Sequence, residues 1–327
     1  MCTAITYQTK DFYFGRTLDN DFSYSEEVVI TPRNFPFSFR LASGLKTHYA
    51  IIGMAHVPDG YPLYYDAANE KGLCIAGLNF AGNAVYGNKQ KDKCNLAQFE
   101  LIPYLLGTCA NVKDALKALS QINLCGLSYS DSLPCASLHW LIADKTQAIT
   151  VECVQHGLKI YDNPAGVLTN NPPFPEQLFR LNDYMNLSPL PPKNAFSKRL
   201  QLQSYSRGMG AMGLPGDLSS QSRFVRAAFT KLNSVSGKSE QESVSQFFHI
   251  LGAVEQTRGC CALENNAYEI TVYTCCMNAD KGIYYYTTYE NRAISAVDLF
   301  AENLDANSLS RYPLIKKPVI AYQNCKK

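Results

Sequence analysis

No C-x-x-C spacing occurs in the 327 residues, and the five histidines (48, 56, 139, 156 and 249) fall at neither H-x-x-x-H nor H-E-x-x-H spacing. Structural zinc therefore has no ligand set to start from, and no metal or cofactor is expected. No run of Lys or Arg makes a basic stripe. Thirty basic residues stand against twenty-eight acidic ones, a formal charge of +2, so nothing points to nucleic acid or an anionic membrane surface. No apolar stretch approaches the roughly 20 residues that span a bilayer. A basic segment followed by an apolar run is missing at the start, so no signal peptide is read and a cytoplasmic protein is expected. What is abundant is cysteine, at twelve. Without an export signal thiols stay reduced. The only close pairs are the vicinal Cys260–Cys261 and Cys275–Cys276, and most of the twelve read as small buried apolar residues.

Hydrophobic residues at 46% and charged ones at 18% give an ordinary globular balance with enough apolar material for a large core. "FYFGRTLD", "EEVVITPR", "YAIIGMA" and "GLCIAGLNF" read as strands. Two helices follow, "AQFELIPYLLG" and "NVKDALKALSQI", the second capped by Asn111. A meander covers "SLHWLIADKTQAITVECVQHGLKIYDN", with turns at Asp144–Lys145 and His156–Gly157. Helices are expected in "PEQLFRLNDYM", "SQSRFVRAAFTKLN" and "EQESVSQFFHILGAV", then a hairpin around "NADKG". This order is neither a repeating βαβ nor all-β. It predicts an α+β fold of stacked antiparallel sheets with helices on the outer faces, one domain spanning 1–327. The Pro-, Gly- and Ser-rich stretch 186–220 is expected to be a long excursion from it. Within that stretch "GMGAMG" (208–213) matches G-x-G-x-x-G, but polar "QSYSR" precedes it and Leu214–Pro215–Gly216 follows, so a loop and not a phosphate cradle is expected.

The chemistry concentrates at the start, "MCTAITYQTKDFYFGRTLDND". Removal of Met1 leaves Cys2 with a thiol and a free α-amine on one residue. An α-amine titrates near pH 8, so it can act as base at neutral pH without a histidine. In a hairpin turning at Lys10–Asp11, Arg16 and Asp19 return alongside residue 2, where an arginine would favour the thiolate and an aspartate would orient the amine. An ordinary salt bridge between that pair fits these residues equally well. "NEKGLCIAGLNF" (69–80) and "GVLTNNP" (166–172) each end an apolar strand in asparagine, a neutral donor suited to an oxyanion hole, though also to turn chemistry. Arg223 falls in the first turn of its helix, where the dipole disfavours a cation, which marks it for service to a site.

"MCTA" with "FGRTLD", "NEKGL" with "AGLNF", "LHWLIAD", "GVLTNNP", "GLPGD" with "SRF", "FFHIL" and "KGIYYYTTYEN" together span the chain. In this order they resemble the choloylglycine hydrolase family of N-terminal nucleophile hydrolases, and within it the bile salt hydrolases of Gram-positive gut bacteria such as lactobacilli. The resemblance implies a four-layer αββα sandwich, a homotetramer with 186–220 as its assembly loop, and no membrane insertion. It also implies hydrolysis of the amide joining a bile acid to glycine or taurine, as in glycocholate and taurocholate. It makes Cys2 the nucleophile with its own amine as base, puts Arg16 and Arg223 by the thiol, and gives Asp19 the amine. The backbone N–H of Asn79 and the side chain of Asn170 form the implied oxyanion hole. Asn170 is preferred to Asn171 because the family motif is T-N-x-P. Substrate contacts are expected from Arg16, Leu18, Phe22, Tyr24, Tyr65 and Asn79, with the sterol body held by aromatic loops near 22–24, 60–66 and 127–134. Penicillin V acylase is the alternative within the family. A non-catalytic bile-salt binder would keep its ligand affinity in Cys2→Ala, and an autoprocessed acyltransferase relative would need residues to remove ahead of the nucleophile.

Overall fold

A computed structural model describes residues 1–324. The N-terminal half holds strands β1 (Cys2–Gln8), β2 (Phe12–Asn20), β3 (Glu27–Thr31), β4 (Ile51–His56), β5 (Leu63–Asn69), β6 (Cys74–Asn79), β7 (Cys94–Ala97) and β8 (Ile122–Cys125). The remainder holds β9 (Leu138–Ala143), β10 (Ala148–Val154), β11 (Gly157–Asp162), β12 (Val167–Leu168), β13 (Ile270–Asn278), β14 (Ile283–Thr288), β15 (Ser295–Asp298) and β16 (Ser310–Pro313). The helices are α1 (Leu101–Thr108), α2 (Val112–Gln121), α3 (Phe174–Phe179), α4 (Ser220–Asn233) and α5 (Glu240–Gly252).

Two antiparallel sheets stack face to face, with strand orders β12-β1-β2-β13-β14-β15 and β11-β10-β9-β6-β5-β4-β3-β16. Side-chain alternation explains how one sheet serves two cores. Along β3, Val28 and Ile30 join the cluster between the sheets, while Val29 turns to the other face. On β4, Ile52 and Met54 oppose Ile51 and Ala55 in the same way, as do Leu141 and Ala143 against Trp140 and Ile142 on β9. The outward face is covered by α1 and α2 through Leu101, Leu105, Val112 and Leu119. On the six-stranded sheet, α4 and α5 pack Phe224, Ala227, Phe247 and Ile250. The layers are therefore helix, sheet, sheet, helix, as predicted.

Local signals were reliable where capping chemistry backed them. Asn111 caps α2 by accepting from the Asp114 N–H, Ser219 caps α4, and Ser239 with Glu242 forms a capping box on α5. The helix expected in "PEQLFRLNDYM" stops after six residues as α3 and continues as tight 3-10 turns over Arg180–Tyr184. There Asn182 Nδ2 bonds back to the Phe179 carbonyl at 2.6 Å, competing with the helical ladder. The expected aromatic loop at 60–66 is a second correction: its last four residues open β5. Met54 pairs with Asp66 but Ala55 with Tyr64, so Tyr65 is the extra residue of a bulge, and the bulge breaks the alternation that announces a strand. The short parallel pair β7–β8 was not anticipated. Stretch 186–220 contains one 3-10 turn, Met209–Ala211, inside "GMGAMG". Gly210 is needed for packing there, since a Cβ would sit 2.0 Å from the Leu190 carbonyl oxygen. No helix among the described residues is long and apolar enough to cross a membrane.

Candidate active site

Cys2 opens β1, an inner strand with β2 on one side and β12 on the other, so the chain start is held from both flanks. Its side chain is buried. On the β2 side Cys2 faces Leu18, and Met1 and Asp19 exchange both main-chain hydrogen bonds at 2.8 and 2.9 Å. The Met1 ammonium also meets the Glu269 carboxylate. On the β12 side the chain runs on to Asn170, whose Oδ1 accepts from the Cys2 nitrogen at 2.9 Å. The same oxygen accepts from Arg223 Nη2 at 2.7 Å, and Asn170 Nδ2 donates to the Asn79 carbonyl at 2.8 Å. Arg223 is fully buried in the first turns of α4. Its Nη1 donates to the Cys2 carbonyl and to Thr3 Oγ1, at 2.5 and 2.7 Å, and its Nε to the Leu218 carbonyl.

Arg16 enters from β2, where the eight-stranded sheet splays. Strands β5 and β6 pair from Ala68–Cys74 only as far as Asp66–Ala76. Beyond that point Arg16 Nη1 takes the two released carbonyls, Tyr65 at 3.3 Å and Gly77 at 2.5 Å. Its Nη2 is buried with no protein partner. Burial opposes its charge, but Cys2, Tyr273, Asp66 and Cys275 outweigh that and hold the guanidinium pKa above its ordinary value. Arg223 goes the other way: burial lowers it, against the pull of Asp19 and Cys2. The Asp19 carboxyl is pushed up by burial, while Arg223 and the N-terminal ammonium pull it down. Its oxygens accept from Thr271 and Thr17 hydroxyls at 2.7 and 3.2 Å. The free amine in this chain is that of Met1, and it is bound by the Asp19 main chain and Glu269 rather than by the Asp19 carboxylate.

The same splay shapes two further features. Phe80 N–H donates to Ser137 O at 2.9 Å and Leu78 faces His139, so by alternation the Asn79 N–H turns away from β9, toward the side β5 has left. Next to it is an apolar cavity of about 330 Å³ lined by Tyr24, Leu63, Tyr65, Gly77, Phe99 and Tyr129, among others. Of the expected substrate contacts, Tyr24 and Tyr65 line this cavity, while Leu18 is buried opposite Cys2. Phe22 is exposed and packs on Tyr24 with ring centroids 4.6 Å apart. The aromatic segment 127–134 contributes Tyr129, Leu133 and Pro134 to the wall.

Several partners of the site carried no short-range signal. Asp66 accepts from Tyr273, Tyr284 and the Cys275 thiol beneath Arg16, and burial raises its pKa against the pull of Arg16. A lone acid in the run "YYDAA" was the one clue to it. Thr17 and Thr271 gave none. Among the described residues no group of three or more His, Cys, Asp or Glu is arranged to hold a metal ion.

Residues 2–312 match the family model for linear amide C–N hydrolases, choloylglycine hydrolase family. The chain is 57% identical to a bile salt hydrolase/transferase of Lactiplantibacillus plantarum over 314 residues, 96% of this chain and 97% of the relative. It shares 35% identity and a TM-score of 0.91 with the crystal structure of a conjugated bile acid hydrolase from Clostridium perfringens, covering 99% and 100% of the two chains. A penicillin V acylase from Agrobacterium tumefaciens shares the fold at TM-score 0.72 and 19% identity, over 95% and 90% of the chains. The helix–sheet–sheet–helix sandwich is thus the N-terminal nucleophile hydrolase fold.

Proposed function

The chain belongs to the choloylglycine hydrolase family of linear amide C–N hydrolases, and on that premise we propose that it cleaves the amide of glycine- and taurine-conjugated bile salts with Cys2 as nucleophile. The observation that carries the reading is the convergence on Cys2. Asn170 Oδ1 lies on its nitrogen, Arg223 on its carbonyl, and the buried Arg16 stands two residues along the β1–β2 ladder from the residue facing Cys2.

Excision of Met1 turns the Cys2 nitrogen from a peptide nitrogen into an amine. Its N–H to Asn170 Oδ1 fixes its orientation and leaves the lone pair free to take the thiol proton. The thiolate adds to the substrate carbonyl. The oxyanion that forms is met by the Asn79 N–H and the Asn170 amide, donors held in place by the fold before substrate arrives. Collapse breaks the C–N bond, and glycine or taurine leaves with the proton held by the α-ammonium. Water, deprotonated by the same amine, then cleaves the thioester. Arg16 and Arg223 supply the positive field at the sulfur, and Asp19 helps to position the amine once it is free. The apolar cavity, lined by Tyr65 and Gly77 whose carbonyls Arg16 holds, suits the sterol body; Tyr24 and Tyr65 lie against it, Phe22 packs on Tyr24 outside it, and Leu18 stays buried opposite Cys2.

The domain reading of 1–327 as one unit, and of 186–220 as an assembly loop, is part of the same proposal. Phe196 and Tyr205 are each 82% exposed and Leu190 69%, apolar surface of the kind that a further copy of the chain covers in a homotetramer. The eleven cysteines of the described residues are all unpaired, which suits the reducing cytoplasm.

The test compares glycocholate, taurocholate and penicillin V as substrates for the purified protein, with Cys2→Ala alongside and intact mass reporting the loss of Met1. Rapid release of glycine or taurine, absent in Cys2→Ala, is the expected result. Faster turnover of penicillin V than of either bile salt would move the assignment to the sister acylase.

A further inference from the structure

His139 sits on β9 opposite Leu78 and is completely buried. Its Nε2 lies 3.0 Å from the Thr169 carbonyl oxygen and its Nδ1 3.1 Å from Glu152 Oε1. A carbonyl oxygen can only accept, so Nε2 carries a hydrogen. The ring stacks on Phe80, centroids 4.2 Å apart and planes within 7°. Thr169 immediately precedes Asn170, and Phe80 immediately follows Asn79. One side chain therefore grips both segments that carry the proposed oxyanion donors, each at the residue next to the donor. Glu152 Oε1 accepts in addition from the Phe174 N–H at 2.9 Å, which ties down the chain just beyond Asn170.

A histidine–glutamate pair buried in an apolar layer is costly to desolvate, and well-packed apolar residues in its place often serve stability as well or better. Its side-chain connections at this position are to the two asparagine segments and to the first residue of α3, just beyond Asn170. We infer that His139, oriented by Glu152, is a positioning residue that fixes the Asn79 N–H and the Asn170 amide relative to each other. The inference rests on the oxyanion role proposed above for those two residues.

The test separates oxyanion geometry from the state of the thiol. His139→Phe keeps an aromatic ring on Phe80 but removes both polar contacts, and His139→Gln keeps an amide donor that can reach toward Thr169. For each variant, kcat and KM on glycocholate are measured together with the rate of Cys2 alkylation by iodoacetamide. Alkylation displaces iodide at carbon and forms no oxyanion, so it reads the thiol and its arginines alone. In His139→Phe, kcat is expected to fall by up to about 100-fold, as for a catalytic group displaced by about 1 Å, with KM changed less than about 2-fold and alkylation unchanged; His139→Gln recovers part of the loss. A proportional fall in turnover and alkylation would mark His139 as merely structural, and unchanged kcat would also overturn the inference. If His139→Phe does not fold, the same comparison is made in His139→Gln. If the unmutated chain hydrolyses none of the three substrates, the proposed function fails on its own. The inference is then read from crystal structures of the variant, where retention of the 2.8 Å contact between Asn170 and Asn79 would overturn it.

Discussion

At the scale of single residues, Asn170 is the joint of the site. Its Oδ1 serves the Cys2 nitrogen and Arg223, and its Nδ2 reaches Asn79, so one amide links the proposed base, a cation and the proposed second oxyanion donor. Asn170→Ala is expected to lower kcat about 10²- to 10³-fold with a small change in KM, as for other lost oxyanion donors. Steady-state kinetics on glycocholate check this, and a KM effect alone would contradict the assigned role. Asn170 was read from the sequence only through its motif, because nothing local separates it from Asn171. The structure distinguishes them: Asn171 Nδ2 turns to the Ala81 carbonyl and is partly solvent-exposed. Arg16 and Asp19 were legible for a simpler reason, since a hairpin of two short strands places them by counting. The Thr271 and Glu269 contacts to the same corner span about 250 residues of chain and left no pattern to count.

At the scale of elements, the site depends on irregularities in the sheets. The bulge at Tyr65 and the parting of β5 from β6 release the carbonyls that Arg16 takes, and a second irregularity between Thr271 and Tyr273 lies opposite Asp19 and Leu18. A bulge breaks the period-two pattern, and at β5 it falls among the opening residues, which is why β5 was mistaken in part for a loop while the regularly paired β9 and β10 were not. Strand β1, which carries Cys2, is itself clasped by α4. Lys231 Nζ donates to Thr6 Oγ1 and to the Ala165 carbonyl, and burial lowers its pKa from the usual lysine value of 10.5 to about 8. A depressed lysine pKa gives stability that is present above the ordinary value and lost as pH falls through about 8. Between pH 7 and 10.5 the unmutated chain should therefore gain stability relative to Lys231→Met, by up to about 3 kcal/mol. Urea melts at several pH values check it, and parallel curves for the two proteins would contradict it.

At the scale of the whole molecule, the layer order followed from the alternation of elements in the sequence, because each amphipathic helix needs a sheet face and each sheet needs two covers. The long stretch 186–220 has no such internal logic, and Leu190, Phe196, Leu200, Leu202, Tyr205 and Met212 in it face outward. For the proposed homotetramer, replacing Phe196, Leu200 and Tyr205 together by Ser is expected to give a smaller assembly than the unmutated chain in sedimentation velocity; an unchanged size would remove the assembly role. The central claim is that the free amine and thiol of Cys2 do the chemistry, and its most direct measurement compares the chain without Met1 to the same chain with Met1 retained, each verified by mass. Glycocholate turnover confined to the Met1-free protein, with a loss of about 10³-fold or more when Met1 stays on, is the result expected for removing an activating base and blocking the site. Equal turnover by the two forms would show that the Cys2 amine is not the base.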